Sequence, residues 1–323
     1  MSDLRQMISQ AEYIMVAGHI RPDGDCVGSC VAVYHYIHRV FPEKSVDVYL
    51  ETLPERYECL DPEHRIIRQE IRQEPYDLFF VVDSSSPDRL GKAEQAFHQA
   101  KHTLCVDHHI SNLQYAERNF VVPDSSSTCE VLYGLLQEET SMPEIAAALY
   151  VGIISDSGVF RYSNTSARTM EIAGKLIQTG IPFWNLIDQC VSERSYVQTK
   201  LLGQALLNSR LLLNGRCIVT VITRSMMEQF GAKTEDVEGV VEQLRVTRGV
   251  EAAVLLHEIG DLQYKVSMRS NDEIDVSQIA VAYGGGGHQK AAGFQKTGTA
   301  EEIIESLCCK IGLLRQEILK LTK

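Results

Sequence analysis

The chain alternates short apolar runs with longer stretches whose apolar residues recur at helical spacing. Tyr13–Ala17, Ser45–Leu50, Leu78–Val82 and Thr103–Val106 are near-continuous runs of β-branched and aromatic residues, each of strand length. Val27–Val40 has helical spacing. Strands apolar on both faces and separated by helices predict a mostly parallel sheet flanked by helices, an α/β fold. Ala146–Ile154 is apolar almost throughout and reads as a buried helix, with a strand as the alternative. Helical patterns continue through Ala167–Gln178 and Ser195–Leu213.

From Arg216 the pattern changes. Cys217–Ile222, Ala252–Glu258 and Gln263–Arg269 are strand-like, and helices are predicted at Asp236–Val246, Val276–Tyr283 and Ala300–Leu314. This is a smaller mixed α/β unit, broken sharply by Gly284–Gly287. A length of 323 residues suits two domains. The expected division is a first domain over 1–189, a helical linker over 190–213 and a second domain over 214–323.

The composition, 44% hydrophobic and 23% charged, is that of a globular protein. No apolar run approaches the ~20 residues of a membrane span, and the first residues lack the order of a signal peptide. Nine cysteines without a CxxC pair fit a reducing compartment, so a cytoplasmic protein with no membrane partner is expected. Cys26 and Cys30, four apart on a predicted helix, read as small buried hydrophobes. Residues 1–189 hold 15 Lys and Arg against 27 Asp and Glu, which is the whole net charge of −12. That excess argues against a duplex nucleic acid as partner. It also means that any acids converging in the first domain need cations to hold them together.

Three of the strand-like runs end in side chains able to bind metals. YIMVAG leads to His19, LFFVV to Asp83, and TLCV to Asp107, His108 and His109. In an open parallel sheet such ends share one edge, outside which ligands bind. His19, Asp23 and Asp25 fall within seven residues, with Pro22 stiffening the loop and Gly24 permitting the turn between the acids. This oxygen and nitrogen set suits a hard or borderline divalent cation such as manganese, magnesium or zinc.

The order His19, Asp23, Asp25, then Asp83, then Asp107-His108-His109, then Asp156 in VGIISDSG resembles the DHH phosphoesterase superfamily. The stretch Gly284-Gly285-Gly286-Gly287-His288 through Gly293 resembles the GGGH motif of its DHH-associated C-terminal domain. Within the superfamily the chain is most similar to the bacterial nanoRNase and pAp phosphatase branch. The resemblance implies an active site in the cleft between the two domains and a pair of divalent metals, Mn2+ or Mg2+. His19, Asp23 and Asp83 would hold one ion, and Asp25, Asp83, His108 and Asp156 the other. Asp107 would orient a ligating imidazole, and His109 would face the substrate phosphate. Arg269 and His288, with Gly285, Gly286 and Gly287, would bind substrate. Arg161, close after Asp156, reads as a further phosphate contact, with an ordinary surface arginine as the alternative.

The implied reaction is attack of activated water at phosphorus, trimming short single-stranded RNA oligonucleotides to mononucleotides and converting pAp to AMP. The alternatives are hydrolysis of pApA or related linear dinucleotides, an inorganic pyrophosphatase or polyphosphatase, and a non-catalytic nucleotide sensor. The oligomeric state, a homodimer included, stays open.

Overall fold

Six short strands build the first sheet in a computed structural model that describes residues 3–271 and 274–321. They are β1 (Tyr13–Ala17), β2 (Ser45–Tyr49), β3 (Ile67–Arg68), β4 (Leu78–Val82), β5 (His102–Asp107) and β6 (Arg118–Val121). Their spatial order is β3-β2-β1-β4-β5-β6, and every neighbouring pair is parallel. The order reverses between β1 and β4. At such a switch point the segments leaving adjacent strands run to opposite sides and open a crevice at the carboxyl edge.

Both faces of this sheet are covered, which is why β4 is buried at all five positions. Val16, Phe80, Val82 and Val106 share a core with helices Gly24–Val40, Thr128–Leu136 and Pro143–Asp156. Met15, Ala17, Phe79, Val81 and Cys105 pack on the other face against Leu90 and Phe97. Each fully buried phenylalanine contributes about 2–3 kcal/mol of apolar burial, so the edge strands can be short. The run over 146–154 is helical, inside Pro143–Asp156.

The second sheet comprises β7 (Arg210–Leu212), β8 (Cys217–Ile222), β9 (Ala252–Gly260), β10 (Gln263–Ser270), β11 (Gly286–His288) and β12 (Ala291–Thr297). Its order is β11-β12-β10-β9-β8-β7, antiparallel throughout except for the parallel pair β8 and β9. Helices Val276–Ala282 and Ala300–Leu321 pack with Val254, Val266 and Phe294, while Leu201, Val240 and Leu244 cover Ala253 and Leu255 on the other face. β10 alternates exposed and buried residues along its first half, the mark of a strand with one open face.

The chain divides into compact units after Glu193. A π-helical turn, Asp188–Ser192, closes the first unit, and helix Tyr196–Leu207 opens the second, with Leu201 and Ala205 in the second unit's core. Segment 190–213 is therefore shared between the units rather than being a separate linker. The helix expected over Asp236–Val246 is broken at Gly239, whose φ of 81° places it in the left-handed region, into a 3₁₀ turn Thr234–Val237 and helix Val240–Arg245. Among the described residues no helix is long and apolar enough to cross a membrane.

Candidate metal centre

The carboxyl edge of the first sheet gathers its chemistry from six segments. His19 follows β1, Asp83 follows β4, and Asp107 ends β5. Asp83 stays tied to the sheet through its N–H, which donates to Val106 O at 3.0 Å. Its φ of 53° is left-handed, a strain that turns the carboxylate into the crevice. One oxygen, Oδ2, lies 3.4 Å from His19 Nε2, and the other, Oδ1, lies 3.8 Å from His108 Nε2 and 3.6 Å from His109 Nδ1.

Asp23 and Asp25 are aimed apart by the helix they open. Asp23 caps Gly24–Val40, its Oδ1 accepting from the N–H groups of Asp25 and Cys26, both at 3.1 Å. That leaves Oδ2 3.7 Å from His19 Nε2. Asp25, inside the first turn, is fully buried, and its Oδ1 and Oδ2 accept from Cys129 N at 2.9 Å and Thr128 N at 2.6 Å. These are free N–H groups of the first turn of helix Thr128–Leu136, a place that favours an anion. Thr128 also donates its hydroxyl to Asp83 Oδ1 at 3.0 Å, so one residue positions both acids. Ser127 caps that helix by accepting from Glu130 N, whereas the partners of Thr128 lie 45 and 103 residues away, contacts that no local sequence pattern announces.

His108 Nε2 lies 3.1 Å from Asp156 Oδ2 and 4.0 Å from Asp25 Oδ2. Its Nδ1 is 3.3 Å from Ser125 O, which assigns the proton to Nδ1 and leaves Nε2 for a cation. Asp107, fully buried, accepts from His109 Nδ1 at 2.7 Å, from the His108 backbone N–H at 2.9 Å and from Asn112 Nδ2 at 2.7 Å. Asp107 thus orients the His109 ring, and touches His108 only through its main chain, not through the imidazole as expected.

Among the described residues three sets of ligand atoms lie within 4.8 Å of one another: His19, Cys26 and Asp83; Asp83, His108 and His109; and Asp25, His108 and Asp156. The buried Cys26 thiol is pushed well above the ordinary thiol range by burial first, so it fills space beside Gly18 as a neutral group.

Electrostatics show what the edge lacks. Burial first, then Asp83 and Asp156, push the Asp25 carboxyl well above its usual range. Asp156 is pushed up to about 6, by burial first and then by Asp83 and Asp23 against the pull of His108. Burial works against the charge on His19 and His108. Asp23 and Asp83 nevertheless raise His19, and Asp156, Asp25 and Asp83 raise His108 to about 10. These shifts all favour protonation at the cluster. Four carboxylates and two imidazoles, all hard or borderline donors, fit divalent metal ions that displace those protons.

In the second unit, register puts Arg269 opposite Ala291 and Ala291 opposite His288, one row on one face of β10, β12 and β11. The next row is Ser267, Gly293 and Gly286, so small residues leave backbone accessible beside Arg269 and His288. A Cβ on Gly285 would stand 2.2 Å from Gly293 O, and one on Gly287 2.5 Å from Ala291 O. Gly286 and Gly287 are therefore strand residues of β11 paired with β12, and Gly285 packs closely on β12 just before them, while Gly286–His288 are exposed. Arg269 Nε donates to Glu242 Oε1 at 2.5 Å and Nη1 to Met268 O at 3.0 Å, while Glu242 also accepts from Arg245 Nε at 2.9 Å. Arg161 lies five residues after Asp156. It follows three left-handed residues, Gly158, Val159 and Phe160, and its Nε donates to Gly158 O at 2.8 Å.

Residues 13–153 match the DHH family, N-terminal domain, and residues 214–311 match the DHHA1 domain. The chain is 28% identical over 289 residues to a protein of Thermus thermophilus named bifunctional oligoribonuclease and PAP phosphatase NrnA, covering 87% of this chain and 83% of that one. It is 28% identical over 301 residues to the Bacillus subtilis protein of the same name, covering 90% and 92%. An exopolyphosphatase-related protein from Bacteroides fragilis shares the fold with a TM-score of 0.88 at 23% identity, over 97% of this chain and 96% of that one.

Proposed function

Because the chain belongs to the DHH family, with a DHHA1 domain as its second part, we propose that it is a metal-dependent phosphohydrolase acting on short RNA oligonucleotides and on pAp. The observation that carries this reading is the convergence of His19, Asp25, Asp83, His108 and Asp156 at the switch point of the first sheet. The names of the Thermus and Bacillus relatives support the substrate class.

His19, Asp23 and Asp83 would hold one cation, and Asp25, Asp83, His108 and Asp156 a second, with manganese the metal we favour. Such a pair supplies positive charge that acidifies water and offsets charge developing at phosphorus. Thr128 fixes the rotation of Asp83, so that its two oxygens serve different partners. His109, held through Nδ1 by Asp107, presents Nε2 as the proton donor to a phosphate oxygen. Arg269 and His288 would grip the substrate's phosphate, the guanidinium being held in place by Glu242.

The test is hydrolysis by purified protein with Mn2+ of di- to pentanucleotides, pAp, pApA and pyrophosphate. Turnover of the short oligonucleotides and pAp, with pyrophosphate slow, is expected. Turnover of pyrophosphate alone would replace this reading with a pyrophosphatase.

A further inference from the structure

Two thiols outside the metal centre lie close enough to react. Cys59 and Cys190, 131 residues apart, have sulfurs 3.5 Å from each other. Cys59 is exposed, on the 3₁₀ turn Glu55–Leu60, and Cys190 is buried, in the π-helical turn Asp188–Ser192. The hydrogen bond from the Cys190 thiol holds Cys59 below the ordinary thiol range, while that bond and then burial push Cys190 up. The exposed sulfur is thus the better nucleophile and the buried one is placed to resolve it.

The turn that carries Cys59 also braces the metal centre. Tyr57, two residues earlier, is buried. A Cβ on Gly24 would stand 3.1 Å from Tyr57 Cε1 and 1.9 Å from Ser155 Oγ. Tyr57 and Ser155 therefore close over the glycine between Asp23 and Asp25, and Ser155 precedes Asp156 in sequence. A disulfide needs about 2.05 Å between sulfurs, so bond formation brings the two sulfurs closer by about 1.5 Å. Tyr57, on the turn that carries Cys59, is the contact through which that rearrangement meets Gly24.

We propose that Cys59 and Cys190 are a reversible peroxide-sensitive modification site whose disulfide distorts the Asp23–Asp25 turn and lowers the activity of the metal centre. The Cys59 thiolate attacks one oxygen of hydrogen peroxide. The O–O bond breaks, and with one proton taken up water leaves a sulfenic acid on Cys59. Cys190 sulfur then attacks the Cys59 sulfur, the S–S bond forms and the S–O bond breaks, and a second water departs with the Cys190 proton. The two thiols lose two electrons and the peroxide gains them.

The effect on activity rests on the proposed phosphohydrolase reading, whereas the cross-link does not. Protein treated with stoichiometric hydrogen peroxide is digested without reduction for mass spectrometry, and its Mn2+-dependent dinucleotide hydrolysis is measured in parallel. The expected result is a Cys59–Cys190 cross-linked peptide and an activity loss of at least fivefold, restored by dithiothreitol and absent in Cys59→Ser. A missing cross-link, or one joining any other pair of cysteines instead, overturns the proposal, as does a Cys59–Cys190 cross-link that leaves activity unchanged. If the reduced protein hydrolyses nothing, it is the functional reading that fails, and the cross-link is judged by mass alone.

Discussion

The two edges of the first sheet treat their carboxylates in opposite ways. At the amino edge, just before β4, Asp77 accepts from the N–H groups of Glu12 at 3.0 Å and Tyr13 at 2.9 Å and from Lys101 Nζ at 2.7 Å. The Lys101 hydrogen bond first, then that from Tyr13, hold it down at about 2. At the carboxyl edge Asp25 is pushed well above its usual range and Asp156 up to about 6. The protein pairs the structural acid with a lysine, whereas the acids of the carboxyl edge, held by backbone N–H groups and the Thr128 hydroxyl, face only imidazoles as cationic partners among the described residues. Such an edge favours added positive charge.

Removing the shared acid should have the largest effect. Asp83→Ala is expected to lower Mn2+-dependent hydrolysis by at least ~1000-fold with the circular dichroism spectrum unchanged, because Asp83 faces both ligand groups. Residual activity within tenfold of the wild type would remove Asp83 from the centre.

Crowding the same edge comes next. A Cβ on Gly152 would stand 2.2 Å from Cys129 Sγ and 2.7 Å from Asp25 Oδ1, whereas one on the exposed Gly286 meets nothing within 4 Å. Gly152→Ala should destabilise the fold by about 2–3 kcal/mol and weaken Mn2+ binding, while Gly286→Ala should be within about 0.5 kcal/mol of the wild type, as read by urea unfolding. Equal effects would mean that Asp25 is not held as described.

In the second unit, losing Arg269 should be milder still. Arg269→Ala is expected to raise KM ~30-fold, about 2 kcal/mol, with kcat little changed, since a charge-assisted contact to substrate is lost. A fall in kcat at constant KM would place Arg269 elsewhere in the reaction.

The smallest effect belongs to the amino edge. Asp77 has a folded pKa of about 2 against an ordinary 3.8, so its stabilisation is full above the higher value and is lost as pH falls through the lower one. Asp77→Asn should therefore cost about 1 kcal/mol at pH 7 and nearly nothing near pH 2, the figure being reduced for its contact with solvent. Thermal unfolding across that range checks it, and a deficit that grew on acidification would reverse the sign.

How legible the site was depended on whether a residue's partner lay along the chain. His19, Asp83 and Asp107 stand where apolar runs stop, a pattern visible by eye, and the central strands β1, β2, β4 and β5 follow from the same runs. The edge strands β3 and β6 are too short and too polar to stand out. Thr128 and Cys190 act on residues more than forty positions away, and no local pattern announces such contacts. In the second unit the glycines suggested a loop, because composition reports chain freedom and not the close approach of β11 to β12 that excludes a Cβ. Likewise the linker was assigned from helical spacing, while the burial of Leu201 and Ala205 assigns that helix to the second core.

The central claim, that the carboxyl edge exchanges protons for two cations, is met most directly by titrating the metal-free protein with Mn2+ while recording stoichiometry and proton release together. Two ions bound per chain, with protons expelled from the His19 and His108 neighbourhood and both signals reduced in Asp83→Ala, is the expected result. Binding without proton release, or binding unchanged by Asp83→Ala, would contradict it.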